Sequence, residues 1–159
     1  MNDGHYIAMA LRAAYLRMHR ETNFCLLTND ITADQFVILT ILKDNNGITQ
    51  QLLTEKSASD PNTIRAIIRL LQKKGLVSVK AHPKDRRANI VRITTKGSNL
   101  QKICMQQLSP LQKFIGSLFS EEEAGKLLDY LARIASGINS LVITRQKAKK
   151  LKKLKNISV

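Results

Sequence analysis

Apolar residues recur along this chain with a helical period, interrupted by two short runs in which they alternate. From about Tyr6 to Leu27, Ile7, Leu11, Ala14 and Met18 fall at helical spacing, and Ala10, Ala13 and Leu16 widen the stripe. A helix apolar over that much of its girth packs against more than one neighbour. A second helix is predicted from Thr32: Thr32 and Gln35 have capping-box spacing, and Ile31 with Phe36 form a hydrophobic staple. Its expected buried stripe is Ile38, Ile41 and Leu42, widened by Val37, and Thr40 is the one polar residue inside the run. Lys43–Gly47 then supplies a turn with a left-handed glycine.

Thr49 is placed to cap a short third helix, Gln50 to about Lys56, burying Leu52 and Leu53. Ser57-Ala58-Ser59 breaks it. Asp60 and Pro61 have the residue types of an N-cap and first helical position, so a fourth helix begins there. Ile64, Ile67, Ile68 and Leu71 make its buried i, i+3, i+4, i+7 set, and Gly75 ends it. Leu76–His82 and Asn89–Thr95 are rich in β-branched residues and alternate, which reads as a hairpin with the charged tip Pro83–Ala88. A long helix follows from Lys96 to Leu118, with Leu100, Ile103, Cys104, Leu108, Leu111, Phe114, Ile115 and Leu118 on one seam. Pro110 is expected to kink or split it. Ser120 and Glu123 repeat the capping-box spacing, and the last helix carries Leu127, Leu131, Ile134, Ile138 and Leu141 near the coiled-coil repeat.

The predicted order is four helices, a hairpin and two helices. The fold class is therefore mainly α with a small β-hairpin wing: a winged helix-turn-helix with a helical dimerisation region. The terminal helices are more apolar than a monomer of 159 residues needs, so a second chain is expected to cover them. In such a unit the second helix of the pair presents its first turns to base edges in the major groove. Its solvent face here is Asn62, Thr63, Arg65, Ala66, Arg69 and Lys73, and Asn and Arg are the side chains able to grip adenine and guanine bidentately. Lys84, Arg86 and Arg87 at the hairpin tip suit a narrow, electronegative minor groove. Asp85 is expected to pair with an Arg and fix the shape of the tip.

Charge strengthens this picture. Lys and Arg number 26 against 12 Asp and Glu, giving a net charge of +14, and Asp85 is the one acid between Arg65 and Lys102. The seven positive charges of Arg145–Lys155 sit in a segment expected to be a disordered arm tracking phosphates. Anionic lipid is the competing partner, but Leu151 and Leu154 are too few for an anchor. Aromatic residues make up 4% of the chain and Trp is absent, which argues against stacked bases of a single strand. Cys25 and Cys104 form no CxxC pair and are expected as buried thiols of a reducing cytoplasm. His5, His19 and His82 do not cluster, so neither a metal site nor any cofactor is expected. There is no Ser/His/Asp set, paired carboxylate spacing or Gly-rich phosphate loop, so the chain is not expected to be an enzyme. The N-terminus lacks the order of a signal peptide and no apolar run is long enough for a bilayer, giving a cytoplasmic expectation with no membrane partner.

The stretch Gly75-Leu76-Val77, Pro83-Lys84-Asp85-Arg86-Arg87-Ala88, Ile93-Thr94-Thr95-Lys96-Gly97 resembles the wing signature of MarR-family regulators. That signature is a helix ending in a KKGLV-like run, a D-x-R tip, and a strand ending in LT-x-x-G; Asp85 and Arg87 take the D-x-R positions, and Ile93 replaces Leu. Ile48–Val77 is similar to the family's helix-turn-helix. The resemblance spans Thr32 to Gly97 and implies a homodimer held by the terminal helices, reading successive major grooves of a pseudo-palindrome, with Arg87 in the minor groove. It also implies a small aromatic effector between the dimer region and the DNA-binding lobes; Tyr15 or His19 on the first helix is a candidate to line its pocket, against a core or surface role for both. Peroxide-sensing relatives carry a first-helix cysteine further upstream than Cys25, so a sensing role for Cys25 is disfavoured.

The expected organisation is a helical dimerisation region, 1–30 and 97–144, a DNA-binding domain, 31–96, and a basic tail, 145–159. The expected function is a sequence-specific double-stranded DNA-binding transcription regulator, a repressor. The alternative is a non-specific nucleic-acid-binding or architectural basic protein.

Overall fold

A computed structural model describes residues 3–45, 47–85 and 88–155, with the side chains of 146–155 excepted. Among the described residues six α-helices and three strands follow one another: α1 (Asp3–Leu26), α2 (Ala33–Asp44), β1 (Ile48–Thr49), α3 (Gln50–Lys56), α4 (Pro61–Lys73), β2 (Val77–Ala81), β3 (Asn89–Ile93), α5 (Thr95–Ser117) and α6 (Glu121–Lys155). A 3-10 turn, Leu27–Asn29, closes α1. The chain forms two compact units that divide between Leu111 and Gln112.

In the first unit the α2 capping box forms as its sequence dictates. The Thr32 hydroxyl accepts from the Gln35 N–H at 3.2 Å, and the Gln35 side chain reaches back to the Thr32 N–H at 3.4 Å. Ile31 and Phe36 are both buried, as a staple requires. The buried face of α2 differs from the expected stripe. Gln35, Ile38, Leu39 and Leu42 make the i, i+3, i+4, i+7 set, Ile41 is half-buried, and Val37 is exposed. A polar residue completes the stripe, which hides it from a reading of apolar positions. Thr40, the polar residue inside the apolar run of α2, receives a hydrogen bond from the buried Gln101 of α5 at 3.4 Å, which gives each of them a partner.

The core of this unit joins Leu26, Ile38, Leu39 and Leu42 to Leu53, Ile64, Leu71, Leu76, Val91 and Cys104, each with almost no exposed surface. A leucine removed from water to that degree contributes about 2 kcal/mol. Burial pushes the Cys104 thiol above its usual range and leaves it unreactive. Cys25 is half-buried against the same core. Helix α3 buries Leu53 but leaves Leu52 exposed, contrary to expectation, because neighbouring side chains on a helix point about 100° apart and one face of this short helix turns inward.

The sheet is antiparallel, in the order β1-β3-β2. Val91 pairs with Val79 on one side and with Ile48 on the other. The hairpin is the expected one; β1 was not anticipated and adds a third strand to it. Thr94 ties the sheet to its neighbours. Its hydroxyl donates to the Gly75 and Leu76 carbonyls at 2.8 and 3.1 Å and accepts the Gly97 N–H of the first turn of α5 at 3.0 Å. Gly97 lies so close to the backbone just before β2 that a Cβ there would stand 2.1 Å from the Leu76 carbonyl oxygen. The Thr-x-x-Gly spacing of the sequence is therefore a packing requirement.

Helix α5 runs through Pro110 without being split. Its buried positions within the first unit are Gly97, Gln101, Cys104 and Leu108, while Ile103 is exposed. In the second unit the Ser120–Glu123 box is formed, with the Ser120 N–H donating to the Glu123 carboxylate at 2.8 Å. These contacts with Ser120 hold the Glu123 carboxyl below its usual range. Helix α6 continues to Lys155, so the expected disordered arm is helical through 145–155; Arg145 and the lysines add charge to a helix already under way. None of its described side chains is buried.

Candidate nucleic-acid interface

Helices α3 and α4 meet across Ser57–Ser59, where Ala58 takes a left-handed φ of 49°. Thr49 caps α3 by accepting the Leu52 N–H at 3.2 Å. Asp60 caps α4: its Oδ1 accepts the N–H groups of Asn62 and Thr63 at 2.9 and 3.0 Å, and the Thr63 hydroxyl donates to Oδ2. The Thr63 hydroxyl, then its backbone N–H and that of Asn62, hold the Asp60 carboxyl below its ordinary value of 3.8. A depressed folded pKa stabilises the fold above the ordinary carboxylate range, and that contribution is lost as pH falls through the folded value. Thermal melts taken from neutral pH to about pH 3 should therefore decline less steeply in Asp60→Asn, which caps without titrating, than in the parent.

Inward, α4 buries Ile64, Ile68 and Leu71, with Ile67 half-buried. Outward, Asn62, Thr63, Arg65, Ala66, Arg69 and Lys73 are all exposed, as the periodicity predicts. Arg65 Nη1 donates to Asn62 Oδ1 at 3.2 Å, which joins the two candidate base-reading side chains one turn apart. Thr63 is drawn two ways: its hydroxyl is engaged by the cap, and it lines a second cavity on the other side of the helix start.

The first turn of α4, helix α3 and the hairpin bound an open cleft of about 770 Å³. Arg65 enters it from α4, Gln50, Gln51 and Thr54 from α3, and His82, Asp85 and Asn89 from the hairpin. Gln51 is held by its amide donating to Glu55 at 3.2 Å. Reading by charge found Arg65 and Asp85 but passed over the neutral glutamines; their signal was the polar face left by burying Leu53 alone. His82 was also missed. At the hairpin tip Lys84 and Asp85 are exposed, and both backbone N–H groups donate to His82 Nδ1. Arg86 and Arg87 lie outside the described residues.

The second cavity, about 260 Å³, is lined by Tyr15 of α1, by Asp34, Val37 and Ile38 of α2, and by Thr63 and Ile67 of α4 among others. Behind Asp34, His19 Nε2 lies 3.3 Å from its carboxylate, the Asn23 amide is 3.1 Å from His19 Nδ1, and the His19 and Tyr15 rings are 5.5 Å apart. Among the described residues no group of His, Cys, Asp and Glu gathers as metal ligands, and no single helix is long and apolar enough to cross a membrane.

Residues 31–88 match the model of the MarR family. The chain is 35% identical over 126 residues to the HTH-type transcriptional repressor NicR of Pseudomonas putida, covering 77% of each protein. Among solved structures, a mutant MarR from E. coli complexed with operator DNA superposes with a TM-score of 0.76 at 24% identity, over 84% of this chain and 96% of that one. Bordetella bronchiseptica BpsR, solved in a study of the regulation of its DNA binding by 6-hydroxynicotinic acid, gives 0.74 at 24% identity, over 82% and 98%. With a helix-turn-helix, a wing and these relatives in place, the chain belongs to the MarR family of DNA-binding transcription regulators.

Proposed function

We propose that this regulator is a homodimeric, sequence-specific repressor that binds a pseudo-palindromic duplex and is released by a small aromatic effector. The observation that carries the reading is the exposed face Asn62, Arg65 and Arg69 on a helix whose opposite face is buried in the core. Such a helix fits a major groove about 12 Å wide with its polar side chains toward the bases. Lys84 at the hairpin tip, with Arg86 and Arg87 following in sequence, supplies phosphate and minor-groove charge.

Dimerisation is supported by unpaired apolar surface on both terminal segments: Tyr6, Ile7 and Met9 on α1, and Leu128, Ile138 and Leu141 on α6, are each at least half exposed. Two copies about a two-fold axis present two reading helices, and hence require two half-sites. An effector is supported by the second cavity, because Tyr15 offers a ring, Asp34 a carboxylate, and Thr63 and Ile67 belong to the reading helix itself. NicR is named a repressor, and the DNA binding of BpsR is regulated by an aromatic acid.

Selection of bound duplexes from a random pool tests the reading. One two-fold symmetric sequence should emerge, bound roughly 10³-fold more tightly than a scrambled duplex. The hydrodynamic mass should be that of two chains. Equal affinity for scrambled DNA, removed by deleting Ala148–Val159, would instead establish the non-specific basic binder.

A further inference from the structure

We propose that His82 is the positioning residue of the hairpin tip, that it holds the tip only as a neutral imidazole, and that the wing loosens when the ring takes a second proton. Its Nδ1 faces two backbone donors, the N–H groups of Lys84 at 3.2 Å and Asp85 at 3.1 Å. A ring nitrogen that accepts cannot carry a proton, so the tautomer is fixed with hydrogen on Nε2. Accepting from amides two and three residues downstream is the work that Asp, Asn or Ser does in most turns. Those side chains do not change charge near neutral pH, whereas imidazole does.

Two backbone bonds complete the closure: the His82 N–H donates to the Ala88 carbonyl at 2.9 Å, and the Ala88 N–H to the Asp85 carbonyl at 3.0 Å. Pro83 has no N–H, so Lys84 is the first amide the ring can capture. Lys84, one of the charges assigned to the wing, lies within this closure, and Arg86 and Arg87 follow it in sequence.

Protonation turns Nδ1 into a donor set against two donors, and both bonds are lost together. The charged groups that share the cleft with the ring are Glu55 of α3, Arg65 of α4 and Asp85 of the tip, and Lys84 meets the ring through its backbone N–H. The wing is placed most tightly where the ring is neutral, so duplex binding weakens as the ring takes its second proton.

Imidazole nitrogen resonances of the full chain test the tautomer directly. At about pH 8 Nδ1 should be unprotonated, and the Lys84 and Asp85 amides should shift together with the ring as pH is lowered to about 5.5. Against a duplex recovered from a random pool, His82→Ala should bind about fivefold more weakly than the parent at the higher pH. His82→Asn, which accepts the same amides without titrating, should recover most of that loss and be free of the parent's weakening at low pH. A protonated Nδ1 at the higher pH, an H82A chain that binds like the parent, or an H82N chain that follows the parent's pH profile would each overturn the proposal.

Discussion

Replacing Arg65 and Arg69 together by alanine should erase the preference for a selected duplex over a scrambled one while leaving appreciable affinity for both. Each Arg able to grip a guanine edge bidentately is worth about 1–3 kcal/mol of discrimination, so the pair accounts for roughly 10²-fold or more in the specificity ratio. Non-specific affinity survives because it comes from phosphate contacts, and the chain carries a net charge of +14. Arg65 should contribute more than its own contact. Its Nη1 donates to Asn62 Oδ1, so truncating it also frees a side chain suited to adenine. Anisotropy titrations with both duplexes at fixed salt give the ratio directly. Lys84→Ala is the control of opposite kind: it should weaken both duplexes alike and reduce the salt slope. Parallel losses on both duplexes in the Arg double variant would remove α4 from the reading role.

Gly97→Ala should destabilise the fold by about 3 kcal/mol and lower Tm by roughly 10 °C, a sign opposite to that expected from helix propensity. Within a helix, alanine is ordinarily better than glycine by about 1 kcal/mol. Here the added Cβ would stand 2.1 Å from the Leu76 carbonyl oxygen, far inside van der Waals contact. That carbonyl cannot retreat cheaply, because it accepts the Thr94 N–H at 3.0 Å and the Thr94 hydroxyl at 3.1 Å. The expected relief is a displaced first turn of α5, at the cost of those bonds. Calorimetry of the two chains decides between sterics and propensity, since a stabilised variant would show the contact to be soft.

Local signals translated into structure wherever short-range chemistry settles the backbone. Thr32 with Gln35, Ser120 with Glu123, and Asp60 before Pro61 each start a helix where the sequence placed it. Rotation of a helix about its axis was harder to read. Helix α2 is apolar nearly all round, so Val37 and Leu39 looked alike until Gln35 and Thr40 showed which face turns inward. Strand β1 is two residues long and exists through its pairing with Val91 and Ile90, distant in the chain, so no local pattern announces it. Pro110 failed to break α5 because one missing N–H is outweighed by the neighbours the helix buries, Cys104 and Leu108 among them. In the cleft, the charged residues were legible from type alone. Gln50, Gln51 and His82 were not, since neutral polar groups acquire a role only through what stands opposite them.

The two ends of α4 are anchored differently. At its C-terminal end the Lys74 carbonyl accepts the Lys96 ammonium at 2.9 Å, Lys74 itself pairs with Asp30 at 3.0 Å, and the Thr94 hydroxyl holds Gly75. At the other end Ile64 seats the helix in the core, but the polar anchorage is its own cap beside a left-handed alanine. A rod riveted at the rear moves by swinging its tip, and that tip carries Asn62 and Arg65. A tilt of α4 about Ser57–Ser59 would therefore displace Asn62 and Arg65, the side chains proposed to read the duplex, more than the sheet.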